Sequence, residues 1–210
     1  MHAIILDMEY TTWEDALRNG WSGPGQHREI VQMAAIGVDV DFVEQDHLDV
    51  IVKPGINAVV SNFFTALTGI TQDRIDSEGV QFDVAMRRLL RMTNDGNVPV
   101  ICMNADEMVM RENCRLYGEV FPFATGFHRL RPFLASVGID TRGVSSGDLH
   151  GMTDHPLEGH VHNALHDVRS MACWLRQAKR IGDLTSLDQL PTTTPEIDPR
   201  IAEAQTGNVL

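Results

Sequence analysis

Lysine is nearly missing from this chain: of 17 basic residues only Lys53 and Lys179 are lysine, set against 29 acidic ones. The resulting formal net charge of −12 excludes a general nucleic-acid coat, whose binding by counterion release needs many cationic contacts to phosphate. It does not exclude an enzyme acting on nucleic acid, because bound metal neutralises part of a site and a few arginines hold a strand. Phosphate contacts would fall mostly to arginine forks, although a genome favouring arginine codons is the simpler source of the bias. Cysteine is sparse too. Cys102, Cys114 and Cys173 are widely separated and form no C-x-x-C pair, which removes support for structural zinc and for a disulfide framework. Long hydrophobic runs are absent: the first is too short for a secretory core or a membrane span, and no later stretch approaches the length required. A reducing cytoplasm and no membrane contact are therefore expected.

What the chain does have is 210 residues with 43% hydrophobic content, enough to bury a real core in one α/β domain followed by a tail. Its most informative segment is His2-Ala3-Ile4-Ile5-Leu6-Asp7-Met8-Glu9-Tyr10. Residues two apart on a strand project from the same face, so Asp7 and Glu9 would stand side by side at the end of a buried strand. Two acids there repel each other and lose hydration. They need a cation, an arginine or an exposed sheet edge.

Further strands are read over Glu29 to Val38 and Phe42 to Lys53, joined by a turn at Asp39 to Asp41, which gives an antiparallel meander. Residues 11 to 28, with Gly20, Gly23, Pro24 and Gly25, read as a long loop beside the acidic strand end. After Pro54-Gly55 the pattern turns helical. Ser61 can cap a helix through Leu67, Thr71 another over Gln72 to Ser77, and an amphipathic helix spans Phe82 to Met92. Val98 to Met103 reads as a buried strand before a helix over Asp106 to Tyr117, an alternation that signals a parallel addition to the sheet. Residues 124 to 160 are irregular, with short helices at Pro132 to Val137 and Ser146 to His150. Asn163 can cap a last helix from Ala164 to Lys179. From Thr185 onward Pro191-Thr192-Thr193-Thr194-Pro195 and sparse apolar content suggest a loose or surface-wrapping tail, so the domain is drawn over 1–182 and the tail over 183–210.

Two more elements carry chemistry. Asp106 follows the fourth strand, at the sheet edge where ligand crevices of α/β folds lie, although the helix dipole alone would favour an aspartate there. With Asn163 as a cap, His162 belongs to a loop and Asp167 to the first helical turn, so the histidine is free to swing over a site that Asp167 lines.

Asp7-Met8-Glu9, Asp106 and His162-x-x-x-x-Asp167 resemble, in order and spacing, the three exonuclease motifs of the DEDDh family of 3'-to-5' exonucleases, which includes RNase T, oligoribonuclease and proofreading subunits. Glu29 to Gly37 looks like the family's second strand. Val52-Lys53-Pro54-Gly55 and Leu67-Thr68-Gly69-Ile70-Thr71 are most similar to the branch containing the Eri and KapD exonucleases. The resemblance covers roughly residues 2 to 180. One departure is Met103-Asn104-Ala105-Asp106, which lacks the aromatic residue often found just before that aspartate.

The resemblance implies a ribonuclease-H-like mixed five-stranded sheet flanked by helices, and a metal-dependent exonuclease releasing nucleoside 5'-monophosphates from the 3' ends of RNA or single-stranded DNA. It implies two Mg²⁺ or Mn²⁺ ions roughly 4 Å apart, held by hard oxygen ligands. Asp7, Glu9 and Asp167 would hold one ion; Asp7 would bridge to the second, supported by Asp106. His162, rather than His160 or His166, would accept a proton from the attacking water. The backbone around Met8 and Glu9 would meet the 3' hydroxyl, and Phe63, Phe64 and Leu67 are candidates for a base platform, with Thr68 and Gln32 as weaker ones. Core packing is the alternative for the phenylalanines. Arg87, Arg88, Arg91 and Arg111 could guide the strand or simply form solvated helix faces. A DNA proofreading or repair exonuclease and a catalytically inactive nucleic-acid-binding module of the same fold stay open as alternatives. A homodimer is compatible with the family, although no hydrophobic seam in the sequence would carry it.

Overall fold

The computed structural model describes residues 1–193. A five-stranded sheet has the order β3-β2-β1-β4-β5. β1 (Ala3–Tyr10) pairs antiparallel with β2 (Ile30–Val38), which pairs antiparallel with β3 (Glu44–Ile51). On its other side β1 pairs parallel with β4 (Val100–Cys102), and β4 with the two-residue β5 (His128–Arg129). The helices are α1 (Ala16–Asn19), α2 (Asn62–Thr68), α3 (Gln72–Glu78), α4 (Phe82–Met92), α5 (Asp106–Tyr117), α6 (Leu130–Ser136) and α7 (Ala164–Ile181), with a 3-10 turn over Ser146–Met152. The mixed five-stranded sheet flanked by helices is thus the fold the sequence implied.

Strand alternation divides the core into two layers. Ile4, Leu6 and Met8 pack against Leu89 of α4 and Val109 and Met110 of α5. Ala3 and Ile5 point the other way, toward Phe133 of α6 and Val168, Met171 and Leu175 of α7. Parity then puts Asp7 and Glu9 on the α7 side, at the end of β1 where apolar packing gives out. Ser61 and Thr71 cap α2 and α3 through their side chains, and Asn163 caps α7 by accepting from the His166 amide.

Several boundaries differ from the sequence reading. β3 starts at Glu44 because Asp39 Oδ1 accepts from the Asp41 and Val43 amides, closing a tight turn that sends Phe42 into the core. The long loop after β1 contains the short α1. β5 went unread because a two-residue strand has no periodicity to detect. Its outer edge is covered by the segment after α7: Thr192 bridges His128, and the Arg129 amide donates to the Pro191 carbonyl at 2.8 Å. Leu184 and Leu190 are buried in the α7-side core. The rest of the expected tail, 194–210, lies outside the described residues.

Candidate active site

The end of β1, the start of α5 and the start of α7 meet at one cleft of about 540 Å³, lined among others by Asp7, Met8, Glu9, Asp106, Ser146, His162 and Asp167. The five polar residues singled out in the sequence come together there, from segments far apart in the chain. The four acids are deeply buried, at 6% (Asp7), 8% (Glu9), 8% (Asp106) and 1% (Asp167) exposure. One ligand atom each of Glu9, His162 and Asp167 lies within 4.8 Å of the others.

Local structure explains the placement. Asp106 opens α5 one turn beyond β4, where the helix N-terminus favours a carboxylate. Asp167 lies in the first turn of α7, and the helix start is pinned by Gln32, whose Oε1 accepts from the Ala164 amide at 3.0 Å while its Nε2 donates to Asp49 at 2.8 Å. Gln32 is therefore a buried support rather than a substrate contact. His162 has a φ of 67°, a left-handed conformation that histidine tolerates better than bulky residues do, and it brings the imidazole to the cleft. His160 is exposed, and His166 is buried edge-to-face against His150 at 5.3 Å; neither lines the cleft.

The electrostatics are those of a cluster short of positive charge. Burial first, then repulsion from the other acids, pushes the Asp7 and Glu9 carboxyls well above the ordinary carboxylate range. Burial likewise raises Asp106 to about 6 and Asp167 to about 7. Burial shifts His162 down, which favours its uncharged form near pH 7. Asp167 Oδ2 accepts from the Ser146 hydroxyl at 2.9 Å, whereas Oδ1 is buried with no hydrogen-bond partner. A buried carboxylate oxygen without a donor, inside a set of hard oxygen ligands, is what a divalent cation fits.

The cleft walls correct one assignment and add others. Phe64 is fully buried among Val31, Ile51, Ile70 and Ile75 and does not line the cleft, because the third residue of α2 turns inward to the core. Phe63 is 40% exposed and lines the cleft together with Leu67. Thr68 is also internal, its hydroxyl bound to the Phe64 carbonyl at 3.0 Å. None of Arg87, Arg88, Arg91 and Arg111 lines the cleft; Arg87 pairs with Asp83, and Arg111 pairs with Glu107 over the Phe121 ring. Tyr10 at the end of β1 and Trp13, Leu17 and Trp21, which the sequence reading left inside an undivided loop, also line the cleft. The two tryptophans in a Gly-rich segment next to the acidic pair were the available signal. Where an aromatic is missing before Asp106, Ala105 and Asn104 line the cleft. Ser146 and Arg131 were missed because neither has a spacing relation to the acids.

The model of a family described as an exonuclease, RNase T, matches residues 4–173. No curated protein matches the chain. Among solved structures, the nuclease domain of 3'hExo, a DEDDh family member bound to rAMP, is 19% identical with a TM-score of 0.73, covering 91% of this chain and 96% of that one. The cell-death related nuclease CRN-4 is 18% identical with a TM-score of 0.67, over 92% and 72% of the two chains. Exonuclease I of E. coli in complex with a dT13 oligonucleotide is 16% identical with a TM-score of 0.62, over 86% of this chain and 42% of that chain. At these identities the structural likeness speaks for a common fold.

Proposed function

Since the chain belongs to the RNase T exonuclease family, and so is a hydrolase of phosphodiester bonds, we propose that it removes nucleotides from the 3' end of single-stranded RNA or DNA, using divalent cations. The observation that supports this most directly is the convergence of Asp7, Glu9, Asp106, Asp167 and His162 on one open cleft. Its walls carry aromatic and apolar side chains, Trp13, Phe63 and Leu67, on which bases can stack without sequence preference. One solved neighbour holds rAMP and another a dT13 oligonucleotide, which keeps both sugars in view.

When bound, Mg²⁺ or Mn²⁺ polarises the attacking water and neutralises charge that builds on the phosphate and the leaving oxygen. Asp7, Glu9 and Asp167 would hold one ion, and Asp7 with Asp106 a second. His162, its uncharged form favoured by burial, takes the proton of the attacking water at an imidazole nitrogen. The water oxygen bonds to phosphorus as the bond from phosphorus to the 3' oxygen of the preceding nucleotide breaks; that oxygen takes up a proton from solvent, and the product leaves with its phosphate on the 5' oxygen. Met8 and Glu9, where β1 meets the cleft, would receive the terminal 3' hydroxyl. The unit carrying this activity is taken as residues 1–182, with 183–193 closing the β5 edge. Three buried free thiols fit a reducing, cytoplasmic setting. No described helix is long and apolar enough to cross a membrane.

The test is Asp7→Ala assayed with RNA and DNA oligonucleotides in Mn²⁺. Monophosphate release should disappear, and release that persists at the wild-type rate would remove the site from the reaction. A binding module without catalysis predicts no monophosphate from the wild-type chain at all.

A further inference from the structure

The Ser145-Ser146-Gly147-Asp148 segment lies against Asp167, and Ser146 lines the cleft with the β1 acids. The Ser146 hydroxyl donates to Asp167 Oδ2 at 2.9 Å. A Cβ on Gly147 would stand 2.5 Å from Asp167 Oδ1 and 2.9 Å from Val161 Cγ1, so the backbone itself fills the space beside the carboxylate. The segment is fixed independently of the acids. Asp148 Oδ2 accepts from the Ser145 amide at 2.9 Å and the Ser145 hydroxyl at 2.7 Å, which closes the turn. Upstream, Arg131 donates to the Thr141 and Val144 carbonyls at 2.6 and 2.7 Å, and its own amide donates to the Met103 carbonyl at the end of β4. Downstream, the His150 amide donates to the Ser170 hydroxyl of α7 at 2.9 Å. Ser146 takes no part in this bracing through its side chain, which is turned to the acids: it donates to Asp167 and lies close enough to Asp7 to favour that carboxylate's charged form.

We infer that this turn is a positioning device for the site: Ser146 fixes the orientation of the Asp167 carboxylate through Oδ2, while Gly147 is required because a Cβ there would meet Oδ1 at 2.5 Å and push the carboxylate out of place. The inference rests on reading the acidic cluster as a divalent-cation site. A carboxylate with two free oxygens can rotate about its last torsion, a broad and soft one. Holding Oδ2 with a donor removes that freedom, as partners behind metal ligands generally do. Ser146 is a positioning residue, acting through the carboxylates it faces, Asp167 first.

The full chain is titrated with Mn²⁺ and followed by thermal shift, for the wild type, Ser146→Ala and Gly147→Ala, with oligonucleotide kinetics alongside. Ser146→Ala should raise the Mn²⁺ dissociation constant about 10–100-fold and lower kcat at subsaturating Mn²⁺, with KM for the oligonucleotide unchanged. Its metal-free melting should stay near that of the wild type, because the turn's own hydrogen bonds remain. Gly147→Ala should weaken Mn²⁺ binding at least as much. Wild-type Mn²⁺ affinity in a folded Ser146→Ala protein overturns the inference and leaves the cation site standing. Absence of any Mn²⁺ response in the wild type overturns the cation reading, and the inference with it.

Discussion

At the scale of single residues, Phe63 and Phe64 show how far one position matters. Both were candidates for a base platform, and the sequence had no means of separating neighbours on a short helix without knowing which face meets the core. The structure puts Phe64 inside and Phe63 in the cleft wall. Phe64→Ala should destabilise the protein by about 3–5 kcal/mol in denaturant unfolding, the usual cost of emptying a packed aromatic site. Phe63→Ala should leave stability nearly unchanged and raise KM for oligonucleotides. His162 makes the complementary case. His162→Gln should lower kcat about 10²–10⁴-fold at neutral pH while keeping the Mn²⁺-induced thermal shift, the pattern of a lost proton acceptor rather than a lost ligand.

At the scale of elements, the long helices and the paired acids were legible because period and capping residues are local. α4 and α5 start and stop where the sequence placed them, and Ser61, Thr71 and Asn163 cap as their types suggest. The parity of β1 alone put Asp7 and Glu9 together. What escaped was set by partners distant in sequence. β5 exists because β4 lies beside it, α1 is a single turn within a Gly-rich loop, and the meeting of Ser146 with Asp167 spans 21 residues. The segment after Gly182, read as loose or surface-wrapping, has its sparse apolar residues Leu184 and Leu190 buried. Leu190→Ala should therefore cost about 2–5 kcal/mol in unfolding experiments, where a loose tail would cost almost nothing.

For the whole molecule, a net charge of −12 and a cluster of four buried acids make folding and cation binding one problem. Asp106 and Asp167 hold their protons up to about 6 and about 7 in the metal-free fold, above ordinary carboxylates. A raised folded-state value contributes stability that is fully present at pH below the unfolded carboxylate range and lost as pH rises through the folded values. The metal-free protein should thus melt at a lower temperature at pH 8 than at pH 5. Mn²⁺ should offset that loss, with a larger shift at pH 8, because binding displaces those protons. The central claim is directional, metal-dependent removal of nucleotides through Asp7. Its most direct measurement is digestion of 5'-labelled single-stranded RNA and DNA in Mn²⁺, beside Asp7→Ala and a chelator control. The account predicts a ladder shortening one nucleotide at a time from the 3' end, abolished by both controls. Loss of the 5' label as mononucleotide, internal cuts, or a ladder that survives in Asp7→Ala would contradict it.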